Sequence, residues 1–549
     1  MLTSRLFVGC SITVLILVFC FRCYRTYRVF NDTADEAVHI SSGLEMWRNA
    51  RCPSETHHPP LAAVAVALPA YLAGLGQSDR QRPMDHHNLW TNREPEFYWR
   101  TLSMARLGNL IFAPFLLVYV YLWGRHIYGP AAGLVAAALA SFSPNLLAHA
   151  SLATLDFGGA TTIFVSAYYL WRWSRQPGLR NCLLAAVTFA VAVLTKFSAF
   201  IFLPLMTALF FLHARWRQQP WQPSTRWQAA AKRGALFLGI AGLVVWSGYL
   251  FEVGPLPPAQ IPPLPGSFGQ YVESAIDFFT RHGSLPAPHF VRGILDVMAL
   301  NARGCAGYLL GELRQSGWWY YFPAALAVKT TLPLLFLVTI GVGLWVVNGE
   351  RQQARPALDP LLAAAMALAV CMCSRINVGI RHILVIYPFF ALVASGLFVG
   401  AGQVRSTGKR LLLGLAIALA VWHAAESLLG HPDYLAYFNQ IARGREEQFL
   451  LDSNLDWGQD LERLRRYLDE NRITTVYLSY FGRTDPRRLG IAGARSLEPG
   501  LLPVGWVAVS KNHLAGLKRD KSDLAWLAGH SPTARIGKSI LVYHLSGGS

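Results

Sequence analysis

Thr33-Ala34-Asp35-Glu36-Ala37-Val38-His39-Ile40, with His57-His58-Pro59-Pro60-Leu61 following further on, lies just beyond the first apolar run of the chain, Leu6 to Phe21. An acidic pair at this point places carboxylates at a membrane surface. Ala37, Ile40, Leu44 and Trp47 recur at helical spacing behind it, which predicts an amphipathic interfacial helix with the acids at its head. Thr33 and Glu36 have the spacing of a capping box, so Glu36 has a structural task available to it as well as a chemical one. His39, four residues after Asp35, can share its helix face.

The chain is 53% hydrophobic and only 15% charged, against about 25% charged in a soluble domain. Apolar runs of about 16 to 20 residues recur from residue 6 to residue 428, the length of a membrane-spanning helix. Leu6–Phe21 lacks a small-residue cleavage site and is followed by Arg22, Arg25 and Arg28, so it is expected to stay as the first span. The net charge of +18 is dispersed over short loops between spans. That pattern is the positive-inside rule, and it lacks the continuous basic patch that nucleic-acid binding requires.

Topology turns on Pro60–Leu75. If this segment lies in the interface, spans are expected at 6–21, 104–123, 131–148, 157–171, 182–194, 197–213, 234–252, 320–347, 358–373, 382–400 and 410–428. Arg125, Arg172, Arg175, Arg180, Arg215, Arg217, Arg226, Lys232, Arg233, Arg351, Arg355, Arg405, Lys409 and Arg410 then fall inside, and both Asp35 and Asp156 fall outside. Arg22, Arg25 and Arg28 are outer-side exceptions, assigned to lipid phosphates. The expected fold is an α-helical polytopic membrane protein with about eleven transmembrane helices. Its transmembrane domain covers residues 1–430, with outer loops 22–103 and 253–318.

The second outer loop opens with Gly254-Pro255-Leu256-Pro257-Pro258 and Pro262-Pro263-Leu264-Pro265, a stiff spacer, and ends in the aromatic Trp318-Trp319-Tyr320-Tyr321. Residues 431–549 read as a small extracytoplasmic α/β domain. Trp457, Leu461, Leu464 and Leu468 share one helical face there, and strands are expected at Thr475–Phe481, Trp506–Ser510 and Ile540–Leu545. The eight cysteines show no metal-ligand spacing; Cys52 and Cys305, in outer loops, are a candidate disulfide.

Several charged residues sit where apolar ones are expected. Asp156 stands where the third span exits, Lys196 in a tight hairpin between spans, and Lys329 within a span, where charge is costly and commonly functional. Arg375, Arg381 and His382 crowd a brief outer turn, Ser374-Arg375-Ile376-Asn377-Val378-Gly379-Ile380-Arg381-His382. The segment Leu451-Asp452-Ser453-Asn454-Leu455-Asp456-Trp457-Gly458-Gln459-Asp460 offers aspartates and an indole for carbohydrate, with helix capping as the competing reading.

The acidic pair, the His-Pro-Pro-Leu turn, Asp156, Thr195-Lys196, Gly317-Trp318-Trp319-Tyr320-Tyr321 and Arg381-His382, in this order, resemble the GT-C membrane glycosyltransferases that use polyprenyl-phosphate sugars. The resemblance is to the group of protein O-mannosyltransferases and lipid A aminoarabinose transferases. It implies an inverting transfer of a single sugar from a polyprenyl-phosphate donor to a lipid, glycan or protein acceptor, with Asp35 as the base. Asp156 would line the same cavity, Glu36 is a further catalytic candidate, and Asp35 with Asp156 are the ligands for a divalent cation if one is used. Lys196, Arg381, His58, Lys329, Arg375 and His382 are the candidates for the donor phosphate. The resemblance further implies a bacterial inner membrane, with the active site facing the periplasm or the outside. The chain departs from the group in residues 77–100, with Arg80, Arg82, His86, His87 and Arg93, and in its C-terminal domain. The rival expectation, a transporter or flippase of lipid-linked sugars, requires binding residues near the bilayer midplane on broken helices in paired repeats.

Overall fold

The computed structural model describes residues 5–52, 57–75, 95–216, 226–259, 266–348, 358–399 and 406–546. Most of the polar insertion at 77–100, the run Pro262–Pro265, and Arg217, Arg351, Arg355 and Arg405 lie outside the described residues.

The first span, α1 (Arg5–Tyr24), leads into α2 (Glu36–Asn49) and α3 (Pro60–Leu72). Pro60 starts α3 at a position where a missing N–H costs nothing. At 13 residues α3 is about 20 Å long, short of the roughly 30 Å hydrocarbon core. Gly43 of α2 and Gly108 of α4 (Pro95–Asn109) let both helices pack directly on the α3 backbone; a Cβ at either would meet an α3 carbonyl oxygen below 3 Å.

Further helices follow as α5 (Phe112–Tyr128), α6 (Pro130–Ser141), α7 (Pro144–Ala150), α8 (Asp156–Arg175), α9 (Leu179–Thr195), α10 (Ala199–Trp216) and α11 (Arg226–Gly248). The segment between α11 and the next apolar helix holds β1 (Val253–Gly254), α12 (Gly266–Arg281), β2 (Leu285–Pro286), α13 (Pro288–Arg303) and the hairpin β3 (Gly307–Leu309) and β4 (Glu312–Arg314). After it come α14 (Tyr321–Lys329), α15 (Leu332–Asn348), α16 (Leu358–Met372), α17 (Ile386–Ser395) and α18 (Thr407–Leu429). Among the described residues five helices are long and apolar enough to cross a membrane, or seven when each bent pair counts as one span.

The span expected at 320–347 is broken. Helices α14 and α15 meet at 115°. Pro333, in the first turn of α15, has no N–H to donate to the Lys329 carbonyl, so an unbroken helix would lose that bond. The carbonyls freed at the break are all met. Asn439 Nδ2 donates to Ala327 and Thr330 at 2.6 and 2.7 Å, its backbone N–H donates to Val328 at 2.9 Å, and Asn145 Nδ2 donates to Lys329 at 2.7 Å. Interrupted helices persist at membrane depth only under such conditions.

Beyond α18 the chain does not leave the core at residue 431 as expected. Tyr434, Phe438, Leu450, Leu455 and Trp457 belong to the same hydrophobic cluster as the spans. After the short α19 (Glu446–Phe449), α20 (Leu461–Glu470) leads into β5 (Val476–Ser479), β6 (Ala494–Ser496), β7 (Gly505–Ser510), β8 (Ala534–Ile536) and β9 (Ile540–Leu545). These form one sheet of order β6-β5-β7-β9-β8, with β5 parallel to both β6 and β7 and the other pairs antiparallel. The sheet shares a core with α2, α3 and α4: Leu461, Val476 and Val542 cluster with Ile40, Val66 and Leu102. Trp457 precedes the helix rather than sharing its face, and β6 and β8 were not anticipated.

Candidate active site

Asp35 occupies the N-cap position of α2, yet its side chain caps nothing. Glu36, the first residue of the helix, turns back to the preceding loop, where its Oε2 accepts from the Thr33 N–H at 2.8 Å. Both Glu36 oxygens also meet Arg106, with Nε–Oε1 and Nη2–Oε2 each 2.8 Å, and Oε1 accepts the Ala153 N–H at 2.7 Å. Arg106 in turn donates to the carbonyls of Tyr27, Phe30 and Asn31. This fully buried pair fixes the connection between α1 and α2. The geometry corrects the catalytic assignment of Glu36, which has no side-chain oxygen left for chemistry, and leaves Asp35 free to face the other way.

Arg381 Nη1 donates to Asp35 Oδ2 at 2.8 Å and lies 3.8 Å from Asp156 Oδ2, and Lys196 Nζ donates to Asp156 Oδ1 at 2.6 Å. Carboxylates and cations therefore alternate, Asp35–Arg381–Asp156–Lys196, gathered from the head of α2, the short 3-10 turn Ile380–Ile383, the N-terminus of α8 and the C-cap of α9. Asp156 sits in the first turn of α8, where the helix dipole favours a negative charge. Gly159, one turn on, makes room for Lys196: a Cβ there would lie 2.7 Å from Lys196 Cδ.

Burial would lift the Asp35 carboxyl, but Arg381, and behind it His39 and His58, outweigh burial and hold it below the usual aspartate range. Arg381 loses solvation yet is held charged by Asp35, Asp156 and Asp452. Its guanidinium lies 4.4 Å over the Trp457 ring. Trp457 is thus a buried support for the arginine, which corrects its reading as an exposed sugar platform. Asp452, at the start of the same segment, has φ +56 and its backbone N–H is held by Asn512 Oδ1 at 3.0 Å. Its carboxyl is pushed up to about 6 by burial against the pull of Arg381.

His58 lies near the cluster; its ring is 5.0 Å from that of His39, and both act on Asp35. His382 borders it through Arg381, Lys196 and Asp156. Arg381 Nε, His382 Nε2 and His149 Nδ1 are buried without a hydrogen-bond partner among the described residues, a concentration of orphaned polar atoms that suits a ligand. His149 escaped notice in the sequence because one histidine in an apolar run carries no pattern.

Two phosphate candidates lie elsewhere. Lys329 is fully buried, donates to the Leu435 and Asn454 carbonyls at 2.7 and 2.6 Å and stacks on Phe438. It anchors the chain after α18 and is corrected to a structural residue. Arg375 donates to the Ala302 carbonyl at 3.0 Å, tying its turn to α13. Arg22, assigned to lipid phosphate, is instead buried against Tyr434 and Ser427. A divalent cation does not fit between Asp35 and Asp156, because the Arg381 guanidinium holds that position and already engages Asp35. Cys52 and Cys305 are unpaired.

The profile of the dolichyl-phosphate-mannose-protein mannosyltransferase family matches residues 100–239, the segment that carries Asp156 and Lys196. The S. cerevisiae protein O-mannosyltransferase Pmt1-Pmt2 complex bound to the sugar donor is 10% identical with TM-score 0.55, covering 79% of this chain and 90% of that one. Archaeal oligosaccharyltransferase AglB from Archaeoglobus fulgidus, in complex with an inhibitory peptide and a dolichol-phosphate, is 12% identical with TM-score 0.50, covering 96% and 72%. ArnT from Cupriavidus metallidurans bound to undecaprenyl phosphate is 14% identical with TM-score 0.45, covering 98% and 99%. No curated protein matches the sequence. The chain shares its fold with the Pmt1-Pmt2 complex, a GT-C structure. Over residues 100–239 it is similar to the dolichyl-phosphate-mannose-protein mannosyltransferase family, the group that its motifs resemble.

Proposed function

We propose that this protein is an inverting glycosyltransferase that moves a single sugar from a polyprenyl-phosphate carrier to a lipid, glycan or protein acceptor at the outer face of a bacterial inner membrane. The observation that carries the reading is the alternating cluster Asp35–Arg381–Asp156–Lys196, a base and two phosphate-binding cations set at helix ends. Ten crossings follow when both bent pairs and the shorter apolar helices other than α3 are counted with the long ones, the 20-residue α8 supplies the eleventh, and α3 lies along the outer interface.

The cations of the free protein are already occupied by carboxylates. A lipid-linked phosphate arriving at Arg381 competes with Asp35 for the guanidinium through bidentate, charge-assisted bonds. As the arginine turns to the phosphate, Asp35 loses the partner that depresses its basicity, so donor binding itself prepares the base. The acceptor hydroxyl or amine then attacks the anomeric carbon opposite the phosphate and its proton passes to Asp35. The carbon–oxygen bond to phosphate breaks with its electron pair staying on the phosphate, which Arg381 and Lys196 stabilise. Asp156 holds Lys196 and the far side of Arg381 in place.

Mass analysis of outer-face glycans and lipids in cells with and without the protein tests the reading. A glycan lost on deletion and restored by wild type but not by Asp35→Asn supports it. An unchanged glycan profile with altered distribution of the lipid-linked donor across the membrane would overturn it in favour of transport.

A further inference from the structure

Away from that cluster, Cys52, Glu252 and His289 bring a thiol, a carboxylate and an imidazole together, with their ligand atoms all within 4.8 Å of one another. We propose that these residues form a site for a transition-metal dication of the zinc type, joining the first outer loop to the second.

Three separate segments build the trio. Cys52 follows α2, its Sγ 3.8 Å from the Tyr249 carbonyl. Glu252 ends the turn after α11, where Leu250 and Phe251 both hold φ +56, a conformation that non-glycine residues adopt at a cost. His289 lies in the first turn of α13. Ladder β1–β2 pairs Val253 with Pro286 and Gly254 with Leu285, and so sets Glu252 beside the start of α13. The Glu252 carbonyl accepts from the Ala287 N–H and from Trp246 Nε1, each at 2.9 Å. Its backbone is therefore fixed while its carboxylate can turn.

The donor set selects the ion. Sulfur and nitrogen ligands exclude the hard cations magnesium and calcium, which take oxygen, and suit zinc and its neighbours. In a tetrahedral zinc site with bonds of about 2.0–2.3 Å, neighbouring donors stand roughly 3.3–3.7 Å apart. Here His289 Nδ1 and Glu252 Oε2 are at 2.7 Å, drawn together by a hydrogen bond; a metal between them needs only a small rotation of each side chain. All three residues are half-buried, so an ion can reach them. On binding, the Cys52 thiol releases its proton to solvent, and His289 carries its ring proton on Nε2 so that Nδ1 can ligate. Three protein ligands leave a fourth position for water. No disulfide claims the thiol, since Cys52 and Cys305 are both free.

Full-length protein in detergent, stripped of metal and titrated with cobalt(II), tests the site. One equivalent should produce the thiolate-to-cobalt charge-transfer band and the visible bands of tetrahedral cobalt, and zinc should displace it. Cys52→Ser should abolish the charge-transfer band, and His289→Gln or Glu252→Gln should weaken binding at least about tenfold; Cys305→Ser should change nothing. Wild type supplies a second measurement that needs no variant: zinc should block alkylation of Cys52, and a chelator should restore it, while exposed Cys373 is insensitive to both. Absence of the thiolate band in wild type, its survival in Cys52→Ser, or alkylation of Cys52 unaffected by zinc would each overturn the proposal.

Discussion

Arg381 Nη1 lies 2.8 Å from Asp35 Oδ2 although the two residues are 346 positions apart, and the same nitrogen faces Asp156 at 3.8 Å. One guanidinium thus couples two carboxylates, and under the proposed function the expected behaviour of variants follows from that coupling.

Asp35→Asn exchanges carboxylate for amide at nearly constant volume. Transfer should fall by about 10²–10⁴-fold, as loss of a general base does, while membrane insertion and thermal stability change little. Single-turnover kinetics on purified protein check this; more than about a tenth of wild-type turnover would remove Asp35 from the role.

Lys196→Met and Arg381→Met should each weaken donor binding or slow phosphate departure by roughly 2–4 kcal/mol. The combined loss should be smaller than the sum, because Asp156 and one ligand link the two cations. A double-mutant cycle with a short-chain polyprenyl phosphate measures this. Additive losses under about 1 kcal/mol each would reduce both residues to ordinary interfacial ion pairs.

The acid limb of the pH–rate profile should move upward in Arg381→Met. Arg381 holds Asp35 below its ordinary value near 3.9, and without the guanidinium burial, which acts in the raising direction, prevails. The base then protonates at a higher pH, so activity fails earlier on acidification. A limb that stays in place would mean that Arg381 does not govern the base.

Glu36→Gln should act on folding rather than turnover. Removing the charge leaves Arg106 buried and uncompensated, a change that costs about 3–5 kcal/mol. Poor recovery or a lowered melting temperature, with near-normal kcat in the folded fraction, is expected. Normal stability combined with lost kcat would restore Glu36 to the chemistry.

Asp456 and Asp460 are fully buried and pushed up to about 7 and about 6, first by burial. In the folded protein they take up protons at a pH where the unfolded chain, near 3.9, does not. Their stability contribution is complete below about pH 4 and is lost as pH rises through 6 to 7. Melting temperature should therefore decline across that window, and Asp456→Asn should flatten the decline whatever its absolute value. A slope unchanged in the variant would assign the pH dependence to other groups.

Periodicity and charge placement made much of this molecule legible. Apolar runs marked most of the spans, and Asp35, Asp156, Lys196 and Arg381 stood out as charges at the ends of such runs. What sequence could not give was the partner of each charge. Lys329 looked like Lys196, a lysine beside apolar residues, yet its partners are carbonyls 106 and 125 positions away. Glu36 and Asp35 are adjacent, and only the position of Arg106 decides which one is consumed by structure. The break after Lys329 had a local sign in Pro333, outweighed by the continuous apolar run around it. The strands β6 and β8 are three residues long and each carries an arginine, too little pattern for period-two reading.

Lys329 holds the segment that presents Asp452 and sets Trp457 beneath Arg381. A nascent chain whose last span has just emerged from the ribosome therefore already has Asp35, Asp156, Lys196 and Arg381, but lacks the floor on which the arginine rests. The enzyme should be silent until synthesis is nearly complete, and a protein cut short after α18 should insert normally and transfer nothing.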